Sequence, residues 1–171
     1  MAAPILIATS LSPTHSFSKT PQPSIHLEAN YGVRGDAHAG RTTQHIYIKR
    51  KDPKRANLTQ VHLLHAELLN ELSLQPGHMG ENLTTRGIDL HALPTGAILT
   101  IGEATIEITG YRTPCSQING LRPKLMNAVF TEDKKPNAGI MGIILTSGEV
   151  HPGDTIEVTL PPEPHVALGP V

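Results

Sequence analysis

Apolar residues along this chain recur mainly at every second position, the spacing of half-buried strands. PILIATSL (residues 4–11) and SIHLEANY (24–31) predict the first two strands, separated by SPTHSFSKTPQP, whose Ser, Thr and Pro content predicts an exposed loop. HIYIKRK (45–51) reads as a strand with a charged end, closed by DPKRAN as a turn. AILTIGEATIEIT (97–109) predicts two short strands in a tight hairpin at Gly102. AGIMGIILTSGEV predicts an apolar strand interrupted by Gly139 and Gly142, with a turn at Ser147 and Gly148, and HPGDTIEVTL predicts the last strand. One stretch breaks the pattern. Val61, Leu64, Leu68 and Leu72 form a stripe at helical spacing within QVHLLHAELLNELSL, and Thr59 is placed to cap that helix. LTTRGIDL predicts a short strand and turn, RPKLMNAVF a weak helix or excursion, and the proline-rich tail PPEPHVALGPV (161–171) a loose end. Around eight strands and one clear helix without β-α alternation predict a mainly β fold, a barrel of mixed strands with one or two short helices over residues 1–160.

Composition narrows the class. At 171 residues the chain suits one domain, large enough to bury about 70% of its unfolded surface without staples. A single cysteine excludes an internal disulfide and favours a reducing compartment. The start MAAPILIATS has no basic flank, and no stretch reaches the ~18–20 apolar residues of a bilayer span, so the expectation is a soluble, untargeted, cytoplasmic protein with no membrane partner. The sequons at Asn57 and Asn82 are then unused. Trp is absent and aromatics make up 3%, which leaves few stacking platforms for single-stranded nucleic acid. A net charge of −1 argues against bulk DNA binding.

That charge is unevenly spread. Residues 31–56 carry seven Lys or Arg against two acids, and 111–135 five against two. Residues 57–110 carry one base against six acids, and the chain from 136 onward has four acids and no base. If the basic segments meet, they form a local anion site; if not, this is ordinary surface charge.

Candidate chemistry falls in four places. TGYRTPCSQIN (109–119) puts Cys115 at a strand end or on the following loop, with Arg112 upstream and Arg122 downstream. Guanidinium groups beside a thiol favour the thiolate, the form that attacks electrophiles and binds metals, although most lone cysteines are small buried hydrophobes. GVRGDAHAGR (32–41) has three glycines within nine residues, hence a shaped loop, carrying Arg34, Asp36, His38 and Arg41. Two cations and a titratable His suit an anion or cofactor contact; whether Asp36 and His38 form a dyad needs coordinates. The glycine spacing fits neither a dinucleotide fingerprint nor a P-loop, and the Arg-Gly-Asp triplet has no partner in a cytosolic chain. Gly80-Glu81-Asn82 offers a carboxylate and an amide able to read a heterocycle edge, or else a turn in which Asn82 bonds its own backbone. His15, Ser16, Ser18 and Lys19 are polar candidates on the first loop. His62 and His65 lack the Glu of a zinc-protease helix and read as surface or half-buried histidines.

In order, GDAHAG, GENL, LPTGAILTIGEATIEITGYRTPCSQI and GIILTSGEVHPGDTIEV resemble a MOSC domain, the module named after the C-terminal part of molybdenum cofactor sulfurase, from about Leu6 to Val158. The likeness is to the short stand-alone type. The resemblance implies a β-barrel, a molybdenum-pterin cofactor bound or served, and Cys115 as the essential cysteine. By position it implies His38, Glu81 and Asn82 in the cofactor cleft, with Arg112 and Thr113 flanking the cysteine. Lys19, Arg34 and Arg122 join them partly on the charge argument. Three functions follow as expectations: a reductase of N-hydroxylated compounds with Cys115 ligating molybdenum, a sulfur carrier using a Cys115 persulfide, or a non-catalytic binding module. The partners implied are a small-molecule substrate, or a sulfur donor and acceptor, with a separate electron-transfer partner for a reductase. Pyridoxal phosphate is disfavoured, because no strand-embedded lysine suits its Schiff base.

Overall fold

The computed structural model describes residues 2–171. Its strands are β1 (Ile5–Leu11), β2 (Thr20–Gln22), β3 (Ile25–Glu28), β4 (Gly32–Val33), β5 (Val61–His65), β6 (Leu83–Arg86), β7 (Ile98–Ile101), β8 (Ala104–Tyr111), β9 (Ile140–Thr146), β10 (Gly148–Val150) and β11 (Ile156–Thr159). Two short helices, α1 (Ile46–Lys51) and α2 (Ala66–Glu71), complete a mainly β fold, with 3-10 turns at Ser116–Gly120 and Leu125–Val129. Eight strands form a mixed sheet in the order β11-β7-β8-β9-β5-β6-β1-β2, and β10-β3-β4 form a small second sheet. The β5 and β6 pair is parallel, joined through α2, and the other pairs are antiparallel. Among the described residues no helix is long and apolar enough to cross a membrane.

Alternation builds the core. Along β8, Ala104, Ile106 and Ile108 are buried while the residues between them are half-exposed. They join Leu6, Leu27, Leu63, Leu83 and Leu99 in one apolar cluster. A second cluster lies under α2, where Leu64, Leu68, Leu69 and Met79 meet Ile118 and Leu125 from the chain beyond Cys115. That packing fixes the cysteine segment to the body of the protein.

The expected barrel does not close. The bridge from Ile5 to Thr155, with the bonds Leu6 N–H to Asp154 O, Gly153 N–H to Leu6 O and Ile156 N–H to Pro4 O, ties β1 to the start of β11 without extending into a strand pairing. The reason is edge occupancy. From Thr9 onward that side of β1 pairs with β2, and Pro4 has no N–H to extend the seam.

Two element types differ from expectation, and both concern the site. QVHLLHAELL is not one helix: Val61 to His65 are a strand, and α2 starts at Ala66. β5 lies between β9 and β6, and Val61, His62, Leu63 and Leu64 are all buried on its two faces. A strand covered on both sides reads as a continuous apolar run that period alone cannot separate from a helix. HIYIKRK is not a strand but α1, and none of its side chains is buried. With no ladder partner beside it, a helix satisfies this backbone internally, and Lys49, Arg50 and Lys51 suit the negative end of its dipole. β9 runs through Gly142, with register shifts opposite it in β8. The tail is docked rather than loose: Tyr111 N–H donates to Gly169 O, Thr95 N–H donates to Val166 O, and Leu168 packs on the core.

Candidate active site

A cleft of about 440 Å³ opens where the loop after β1, the loop after β4, the middle of β5 and the segment after β8 converge. Its size falls within the range of small-molecule sites. Lys19, His38, His62, Asn82, Arg112 and Cys115 all line it.

Asp36 organises one wall. Its side chain is 2% exposed, and Lys19 Nζ donates to both its oxygens at 2.9 and 2.8 Å. Ser12 N–H (3.1 Å), Asn82 Nδ2 (3.2 Å) and His38 N–H (2.9 Å) also donate to it, and His38 Nδ1 lies 3.3 Å from Oδ1. Burial alone would raise the Asp36 pKa. The His38 side-chain bond and the charge and bond of Lys19 outweigh it, holding the carboxyl well below the usual range. Lys19 gains less: burial lowers its pKa more than Asp36 raises it. Asp36 is ionised, because five hydrogen bonds from four donor groups converge on it.

Asn82 joins the wall to the sheet. Its Oδ1 accepts His62 N–H at 3.1 Å, and its amide donates to Ser10 O and Asp36, so both its N–H bonds are engaged in the framework. Glu81 lies behind the cleft, fully buried, with Oε1 accepting Gly77 N–H at 2.6 Å and Thr84 Oγ1 at 3.0 Å. Its Oε2 has no partner, and burial raises its pKa against the pull of the Gly77 N–H bond. The contact matters for Lys19. Gly77 (φ +88°) presses against the Lys19 carbonyl, where a Cβ would collide, and Lys19 N–H donates to Gly77 O at 2.8 Å.

The opposite side carries the thiol. Arg112 N–H donates to Gly139 O, its guanidinium donates to Met79 O and lies 5.2 Å from the Phe17 ring centroid. Burial lowers its pKa, while the charges of Cys115 and Glu81 favour the guanidinium. Cys115 is half-buried with extended backbone, and its Sγ has one weak contact, Gln117 Oε1 at 3.8 Å. His62 donates from Nε2 to Ala138 O at 2.9 Å, and burial pushes its pKa well below the usual imidazole value. It is therefore a neutral donor held against the cleft floor.

A family model described as the MOSC domain matches residues 42–157. The chain belongs to the MOSC domain family. Among solved structures it is similar to the YuaD protein from Bacillus subtilis, with a TM-score of 0.75 at 23% identity over 92% of this chain and 96% of that one. It is also similar to YiiM from Geobacillus stearothermophilus, TM-score 0.64 at 16% identity over 96% of this chain and 77% of that one. YiiM from Escherichia coli gives 0.63 at 18% identity, with 95% and 73% covered. These likenesses concern the fold. No curated protein sequence matches the chain.

In this MOSC domain the expected residues divide into three groups. Cys115, Arg112, Lys19, His38 and Asn82 share the cleft. Glu81 braces it from behind. Arg34, Thr113 and Arg122 are exposed and do not line it, and Arg34 faces Glu28 at 3.7 Å. Of the two basic segments, 111–135 brings Arg112 into the cleft, whereas Lys49 and Arg50 of 31–56, on α1, line a shallow adjoining groove with His15, Gln44 and Ile46. Sequence reasoning missed Asp36 as the centre of the polar wall and His62 as its floor. The Asp-x-His spacing in GDAHAG was the available signal for the first. For the second there was none, because His62 sat in a run read as helix.

Proposed function

We propose that this MOSC domain binds a molybdenum-pterin cofactor in the cleft, with Cys115 as the protein ligand to the metal, and reduces N-hydroxylated compounds. The observation that carries this reading is the lone thiol lining one cleft together with Arg112, Lys19 and His38. The donor set fits. Cys115 is the soft ligand in the cleft that would hold the metal, with the cofactor supplying the remaining ligands. The bound group would supply two-electron redox chemistry. Arg112, Lys19 and the rim cations Lys49 and Arg50 offer charge to its anionic substituents. His62, its Nε2 proton held by Ala138 O, lines the cleft as a fixed neutral ring, and Ile46 and Tyr47 of α1 form an apolar rim.

One observation favours a second reading, a sulfur carrier: Sγ is half-exposed and almost uncommitted, as a persulfide would require. Protein purified from a cofactor-competent host separates the two. Stoichiometric molybdenum in wild type, lost in a folded Cys115→Ala, supports ligation. Cyanolysable sulfur without metal supports the carrier, and neither property in wild type leaves only a binding module.

A further inference from the structure

We propose that His38, oriented by Asp36, is the general acid that protonates the departing oxygen when the N–O bond of the substrate breaks; this rests on the reductase reading above. The geometry is that of a carboxylate-held imidazole. Asp36 Oδ1 accepts the His38 backbone N–H at 2.9 Å and faces Nδ1 of the same residue at 3.3 Å, so one buried carboxylate fixes both ends of the histidine. Lys19 Nζ, 3.4 Å from Nδ1, already donates to both Asp36 oxygens. An ionised carboxylate can only accept, so the Nδ1 that faces Asp36 carries a proton, and in the imidazolium form, the one that acts as the acid, the second proton sits on Nε2, the nitrogen free for the cleft. The His38 side chain is 41% exposed and lines the cleft, and the His15 ring lies edge-on to it at 5.3 Å between centroids. Asp36 is a positioning residue: it sets the tautomer and does not meet substrate.

The reaction has a place for this proton. Reducing an N-hydroxylated amine consumes two electrons and two protons and yields the amine and water. Hydroxide is a poor leaving group. As the N–O bond breaks, the Nε2 proton passes to the oxygen, which departs as water, and two electrons from an external reductant, such as dithionite or a reduced flavin carrier, remain on the nitrogen side. The second proton reaches nitrogen from solvent, and the half-exposed imidazole is reprotonated from solvent. Positioned general acids contribute roughly 10²–10⁴-fold.

The test compares two leaving groups on metal-loaded protein with dithionite as reductant: an N-hydroxyamidine, and its O-acetyl ester, whose leaving acetate needs no proton. His38→Gln is expected to keep its metal, to lose about 100-fold or more in kcat on the N-hydroxyamidine, and to lose less than tenfold on the ester. Free imidazole is expected to restore part of the lost rate in His38→Gly, which a merely misfolded variant would not show. Asp36→Asn is expected to change the His38 tautomer seen by nitrogen-15 NMR. Equal losses on both substrates, or an unchanged rate in His38→Gln, overturn the assignment while leaving the reductase reading intact. Wild type that holds no metal and reduces neither compound overturns both.

Discussion

Replacing Lys19 by Met removes one partner of a buried ion pair while keeping most of the side-chain volume. The side chains of Lys19 and Asp36 are 4% and 2% exposed, so water cannot take over the missing charge. Leaving one member of such a pair alone typically costs 3–5 kcal/mol. Two features put this case at the low end. Asp36 keeps the Ser12 and His38 N–H groups and the Asn82 amide as donors, and the variant no longer has to bury the Lys19 ammonium, whose desolvation exceeds what Asp36 returns to it. We expect about 3 kcal/mol, which for a chain of this size lowers Tm by roughly 6–12 °C. Urea and thermal unfolding at pH 7 measure it, and Lys19→Met/Asp36→Asn should be less destabilised than the sum of its single variants. The same pair sets an acid limit. Asp36 titrates far lower folded than unfolded (about 3.9), so its contribution is complete above roughly pH 5 and is lost as pH falls through 4 toward the folded value. Asp36→Asn should flatten that part of the stability profile. A Lys19→Met protein within 1 kcal/mol of wild type, with additive singles, would refute a coupled buried pair.

Cys115→Ala should unfold within about 0.5 kcal/mol of wild type, since Sγ has one weak contact, and near-coincident urea curves check this. Glu81→Ala should cost about 2–4 kcal/mol by stranding Gly77 N–H and Thr84 Oγ1, whereas Glu81→Gln, which keeps the acceptor, should cost much less; chemical unfolding ranks the two. Gly139→Ala should destabilise by more than 2 kcal/mol, because φ is +94° and a Cβ would meet Leu63 O and the His62 ring; the His62 NMR signal should move with it. His91 accepts Gly139 N–H on Nε2, and burial, aided by His65, lowers its pKa to about 4. Its contribution is whole above about pH 6.5 and fades as pH falls toward 4, so His91→Gln should flatten stability in that window.

Much of the sheet was legible because most of its strands have one covered face. β1, β3, β7, β8 and β11 fall where alternating residues placed them, and the Gly102 hairpin pairs Ile101 with Ala104. The cysteine, its arginine, His38 and Asn82 were legible as chemistry through the ordered motifs, and Lys19 as a polar candidate on the first loop, partly through charge. Their division of labour was not. Asn82 and Glu81 share one triplet, yet one lines the cleft and the other, its neighbour across the bend before β6, turns into the core.

By itself the sequence determined local preference and residue chemistry: strand period, the turn at Gly102, a lone thiol, and cations in two segments. Tertiary structure decided everything that depends on what lies across a gap. It made β5 a strand because β6 and β9 supply its ladder, and left α1 a helix because nothing pairs with it. It kept the barrel open because β2 occupies the edge of β1. It also converted Asp36 from a loop acid into the anchor of the cleft. His38 is its neighbour on the same loop, but Ser12 and Lys19 come from the loop after β1 and Asn82 from the approach to β6, and hydrogen bonds act over about 3 Å regardless of distance along the chain.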